Sequence, residues 1–161
     1  MSDYACTMLS IIEMLVNHNV VCREPLFQIL EKVKPKNLLK STGAGKGSVR
    51  DILVHIMNAE KFWIAYLKKS DYQKSQPKEF KDIPSIRYAW SKVSAETEEF
   101  IKNLSVDQLR HVRSVKSGDQ TISFTVAKAI LHMTTHETHH RGFLIGWIRQ
   151  KGLEPPDVNM L

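Results

Sequence analysis

Four stretches of this chain repeat apolar residues in alternating steps of four and three, and that spacing leaves little choice of fold. A residue three or four positions on lies one helical turn further along the same face. Met8, Ile12, Leu15, Asn19, Cys22, Leu26, Ile29 and Val33 form the first row, with Asn19 as its polar interruption. The second carries Ile52, His55 or Ile56, Ala59, Trp63 and Tyr66, and the third Ile86, Trp90, Val93, Thr97, Phe100 and Leu104. Ala129, Met133, His136, His140, Phe143 and Trp147 make the fourth. Four such helices cover one another's apolar faces in a bundle. The expected fold is all-α, a four-helix bundle in one domain spanning residues 1–161. A chain of this size buries roughly 70% of the surface that it exposes when unfolded.

Breakers set the boundaries. Pro25 should kink the first helix or break it in two. Lys34 to Gly47 reads as a connection, because Pro35 and the glycine run from Gly43 end the periodicity. That run, Gly43-Ala44-Gly45-Lys46-Gly47, fails the spacing of a phosphate-binding loop. Ser48 with Asp51 resembles a capping box and opens the second helix, which ends near Ser70. Asp71 to Pro84 is a loop, and the third helix starts at about Ser85. Ser105 to Thr121 is irregular, with a turn at Ser117-Gly118-Asp119. Thr121 to Phe124 fits a short strand or an extended lead-in. The fourth helix runs from about Phe124 to Gln150, and Gly152 stops it. Each connection exceeds ten residues, so one or more can cross over the bundle.

Composition narrows the function classes. The chain is 42% hydrophobic and 25% charged, as a soluble globule is. No apolar run approaches the ~20 residues that a bilayer requires. Asp3 and Glu13 are acidic and no basic cluster precedes the apolar residues, which does not suit a signal peptide. A cytoplasmic protein with no membrane contact is expected. The net charge of +6 fits an anionic partner or simply a basic surface. Its lysines are scattered, and nothing resembles a recognition helix, a stacking platform or an ordered phosphate-binding stripe. Nucleic acid is therefore not the expected partner. Cys6 and Cys22 fall sixteen residues apart on the first helix. That is about 24 Å along a continuous helix, too far for an internal disulfide.

The histidines carry the chemistry. Of seven, His132, His136, His139 and His140 fall in one short stretch of the fourth helix. His132, His136 and His140 form one row, with His139 beside it. Imidazoles one turn apart can point at one metal ion, and His55 on the second helix is the natural third ligand. His18 and His111 read as structural or exposed. The segment His136-Glu137-Thr138-His139-His140 also has metalloprotease spacing. The bundle supplies no matching substrate cleft, so Glu137 reads as an exposed residue or as a partner of a ligand histidine.

The segment from Leu131 to Gly142, with its His-Arg-Gly end, resembles the last-helix signature of the DinB-like (YfiT-type) four-helix metalloproteins. Ser48 to Trp63 resembles their second-helix signature, and the likeness runs from about Tyr4 to Gly152. The resemblance implies a bundle holding a divalent metal, zinc or nickel, on His55, His136 and His140, and a homodimer. His132 stands where the family often has another histidine that is not a ligand. His139 stands where an aromatic is common. Phe143 departs from the family's usual Gln, which removes a polar group near the site. Some members of this broad superfamily are thiol S-transferases, which join a low-molecular-weight thiol to an electrophile. That implies a metal-dependent thiol S-transferase, with a small-molecule thiol and an electrophile as partners. The alternatives are a metal-dependent hydrolase and a non-catalytic damage- or stress-response binding protein.

Overall fold

The computed structural model describes residues 3–43 and 47–160, with side chains from residue 7 onward. The middle of the glycine-lysine run and the Cys6 side chain lie outside the described residues. Four long helices make the bundle: α1 (Asp3–Glu31), α3 (Val49–Lys68), α4 (Ile83–Lys102) and α6 (Val126–Gln150). Between them lie the short helices α2 (Pro35–Leu38) and α5 (Val106–Arg110). A hairpin of β1 (Val112–Ser117) and β2 (Gln120–Thr125) precedes α6.

Both α1 and α3 pack against α4 and α6. Helices α1 and α3 therefore face each other across a diagonal, as do α4 and α6. A diagonal step needs a long connection, which accounts for the segments on either side of α2 and across α5 and the hairpin. The crossover expected from loop lengths is present twice.

Pro25 does not break α1, which continues to Glu31. A helical proline leaves the carbonyl four residues earlier without its partner. That residue is Val21, 60% exposed, so water can reach the freed carbonyl. At the start of α3, Ser48 Oγ accepts from the Asp51 amide at 3.2 Å, and the Ser48 amide donates to Asp51 Oδ2 at 2.9 Å. Asp thus completes the capping box in place of Glu. Replacing Ser48 with Ala should cost about 1 kcal/mol, or roughly 2–4 °C of Tm in a domain of this size. An unchanged melting curve would show the box to be ornamental.

The hairpin is a departure from an all-α chain. Ser117 pairs with Gln120, leaving Gly118 and Asp119 as a two-residue turn. Gly118 sits at φ +60°, which a tight hairpin turn favours in its first position. The sequence concealed β1, because Val112 and Val115 are three apart and do not alternate. With residues through Thr125 in β2, α6 begins at Val126, capped by Thr125. Phe124 anchors the hairpin edge-on against Trp63 of α3, with ring centroids 5.4 Å apart.

The core divides in two. One cluster includes Leu30, Leu53, Ile86 and Leu144, and the other Ile12, Ile64, Leu109 and Ile130. Between them lies a buried polar layer to which all four long helices contribute. Arg23 of α1 donates from Nε to Glu137 Oε1 at 2.8 Å and from Nη2 to Glu60 Oε2 at 2.7 Å. It also bonds Glu137 Oε2 and donates to Ser94 Oγ at 2.6 Å. Trp90 Nε1 and Thr97 Oγ1 donate to Glu60 at 2.6 and 2.8 Å. Arg141 Nη1 donates to Asn19 Oδ1 at 2.9 Å and lies 3.5 Å from Glu137. Two arginines balance two glutamates, so the layer is neutral when all four are ionised.

Candidate metal centre

Helices α3 and α6 run antiparallel, and their seam gathers the histidines. His55 reaches across from the first half of α3. His136 and His140 stand one turn apart on α6. Nε2 of His136 is 3.1 Å from Nε2 of His55. One ligand atom from each of His55, His136 and His140 lies within 4.8 Å of the others, and all three rings are half-buried. Imidazole nitrogens bind zinc at about 2.0–2.1 Å, so two of them on one ion stand roughly 3–4 Å apart. The trio is compatible with a metal ion after small ring movements.

Two further observations favour that use over plain packing. Among the described residues the buried Nδ1 of His136 has no hydrogen-bond partner, whereas a structural histidine is normally satisfied. Burial, helped by the neighbouring imidazoles of His140 and His55, pushes the His136 pKa down from 6.5 to about 4. At neutral pH this ring is uncharged and offers a lone pair, the state a metal requires.

The remaining histidines stand apart from the trio. His132 is exposed, with its ring 6.0 Å from that of His136 and edge-on to Trp63 at 5.5 Å. His139 is exposed beside His140 at 5.0 Å. His111 is exposed after α5, and His18 lies 3.5 Å from Cys22 Sγ on α1. Burial pushes the Cys22 thiol above its usual pKa, against the pull of Arg141. This thiol sits on α1, away from the α3–α6 seam, so it is no ready nucleophile for the histidine site.

Three expectations about α6 and α1 change. His136, His140 and Phe143 do not lie on the innermost line of α6. Val126, Ile130, Met133, Glu137, Leu144 and Ile148 do, and the histidines flank them on the α3 side. Glu137 is not exposed: it is 4% accessible, and its partners among the described residues are Arg23 and Arg141. A carboxylate held by two guanidiniums inside the core cannot act as the base of a protease motif. Met8, placed on the buried row of α1 by spacing, is 45% exposed.

Reading the sequence for apolar rows alone missed the polar layer. Its signal was present, because Ile12, Val16, Asn19, Arg23, Leu26 and Leu30 keep the same alternation, as do Leu53, Met57, Glu60, Ile64 and Leu67. One charged residue interrupts each row at the same level of the bundle.

Known proteins share this fold. A DinB-like protein from Bacillus cereus is 17% identical, with a TM-score of 0.65 over 84% of this chain and 89% of that one. A DinB-like protein from Bacillus subtilis is 19% identical, with a TM-score of 0.62 over 90% of this chain and 96% of that one. At these identities the likeness is one of fold. No functionally curated protein is detectably similar. The sequence pattern of the DinB family matches residues 1–161. With that match over its whole length, the chain belongs to the DinB family.

Proposed function

We propose that His55, His136 and His140 hold one divalent ion, zinc or nickel, and that the protein is a metal-dependent thiol S-transferase. The observation that carries this is the convergence of three imidazoles from two helices with no fourth protein ligand in the group among the described residues. Structural zinc sites are closed by four protein ligands, and catalytic ones keep a position open. A divalent ion with an open position supplies Lewis acidity and favours the thiolate form of an incoming thiol.

The chain's own residues would do the rest. The three histidines would hold the ion. Trp63 and His132 wall the adjoining seam. The polar layer fixes α6 against α1 and α3, so His136 and His140 keep their angle to His55. In the reaction the thiol proton passes to solvent and a sulfur–carbon bond forms at the electrophile. The electron pair of the broken bond leaves with the displaced group. The thiol comes from outside, because Cys22 is remote and buried. The basic surface, +6 overall, suits an anionic thiol. Phe143 is half-buried and packs on the core, so it contributes shape and no polar group.

No helix among the described residues is long and apolar enough to cross a membrane, and the uncrosslinked thiol of Cys22 suits the reducing cytoplasm. Met8, Ile11, Met14 and Val21, between 45% and 60% exposed, line the outer face of α1. They support a second copy of the chain as a partner.

The test is to load the protein with zinc or nickel and screen small thiols against model electrophiles. Turnover that needs both metal and thiol is expected. Metal binding without turnover for any thiol would favour the non-catalytic reading. Thiol-independent hydrolysis would favour a hydrolase.

A further inference from the structure

The histidines stand at one end of a longer feature. Rings follow one another along the α3–α6 seam from His140 through His55, His136 and His132 to Trp63 and Phe124, each within 6.0 Å of the next. Beyond His132 the seam opens into a cleft of about 380 Å³ under the hairpin. Phe62, Trp63 and Phe124 give it aromatic walls, and His132 forms the side nearest the trio. Lys116 of β1 and Lys128 of α6 stand on its lining, which includes no carboxylate. Both lysines are exposed, and neither forms an ion pair among the described residues.

We propose that this cleft binds the electrophilic substrate, and that the substrate is a small aromatic or planar apolar molecule bearing an anionic group. The volume falls in the usual range for small-molecule sites, about 300–1,000 Å³. Aromatic walls favour a flat apolar body, which can stack or meet the rings edge-on. Two unpaired ammonium groups without a nearby carboxylate select a negative charge at the hairpin end. The other end of such a molecule points along the ring series toward His136. The assignment of that end as the reacting one rests on the metal reading above, whereas occupancy of the cleft does not.

The experiment uses naphthoate and its uncharged analogue naphthamide on chelator-treated, metal-free protein. Tryptophan fluorescence reports binding at low ionic strength. Saturable naphthoate binding is expected, weakened about tenfold by the double change Lys116→Glu, Lys128→Glu, with naphthamide weaker by a similar factor in the unchanged protein. Circular dichroism checks the fold of the variant. If charge reversal disturbs the hairpin, Lys116→Gln with Lys128→Gln carries the test. No saturable binding, equal binding of naphthamide, or binding indifferent to both lysines would overturn the proposal. A protein that binds naphthoate as expected yet takes up no metal would overturn the histidine assignment alone, so the two failures are distinguishable.

Discussion

Replacing His136 and His140 together with alanine should abolish stoichiometric metal binding. The unchanged protein, purified without an affinity tag and incubated with zinc or nickel, should hold about one ion per chain. The variant keeps a single member of the trio, His55, and one imidazole does not make a site. The fold should survive, because both rings are only half-buried and flank the innermost line of α6. Thermal melting gives a second readout. An ion at a thousand times its Kd stabilises the native state by about 4 kcal/mol. In a domain of this size that raises Tm by roughly 10 °C. The rise should be present in the parent and missing in the variant. Equal metal content in the two proteins would sink the assignment of these ligands.

The second large effect concerns Arg23. Arg23 is 7% accessible, and its guanidinium lies over the Trp90 ring at 4.4 Å. Burial works against its charge, but Glu137 and Glu60 outweigh that cost and hold its pKa above the usual range. Burial raises the Glu60 pKa, while Arg23 and the donors on Trp90 and Thr97 oppose the rise. Arg23→Ala removes the cation from two buried carboxylates at once. Breaking a buried ion pair from one side costs about 3–5 kcal/mol, because the surviving charge is left in the core. The expected loss of Tm is roughly 6–20 °C. Chemical denaturation of the metal-free protein measures it without interference from the ion. A loss below about 1 kcal/mol would mean that the layer re-forms around water and does not hold the helices in place. Below the variant's melting point, zinc binding should persist, since the histidines flank the innermost line of α6 on the α3 side and none of the hydrogen bonds of Arg23 goes to them. That contrast separates a residue that supports the bundle from one that belongs to the metal centre.

Much of this protein was legible in its sequence, and the reason is local. Helix periodicity, the Ser48 box and the turn at Gly118 each depend on residues a few positions apart. The row of His136 and His140 was legible for the same reason. His55 was legible only as a polar ring on or beside an apolar row. Other features depend on which helices are neighbours. The diagonal placement of α1 and α3 decides that Arg23 meets Glu60 and Glu137 in the middle of the bundle. One charged residue in each of three rows looks like an exception until the rows are brought to the same level. The first strand of the hairpin escaped notice because its faces are mostly solvated, and so little apolar alternation marked it. The sequence by itself determined four amphipathic helices and a set of imidazoles in search of a ligand. Only the tertiary structure decided which imidazoles converge and that Glu137 turns inward to Arg23. It also placed the lysine-bearing cleft beside the histidines. Side chains far apart in the chain acquire their partners only when helix packing fixes distance and direction together.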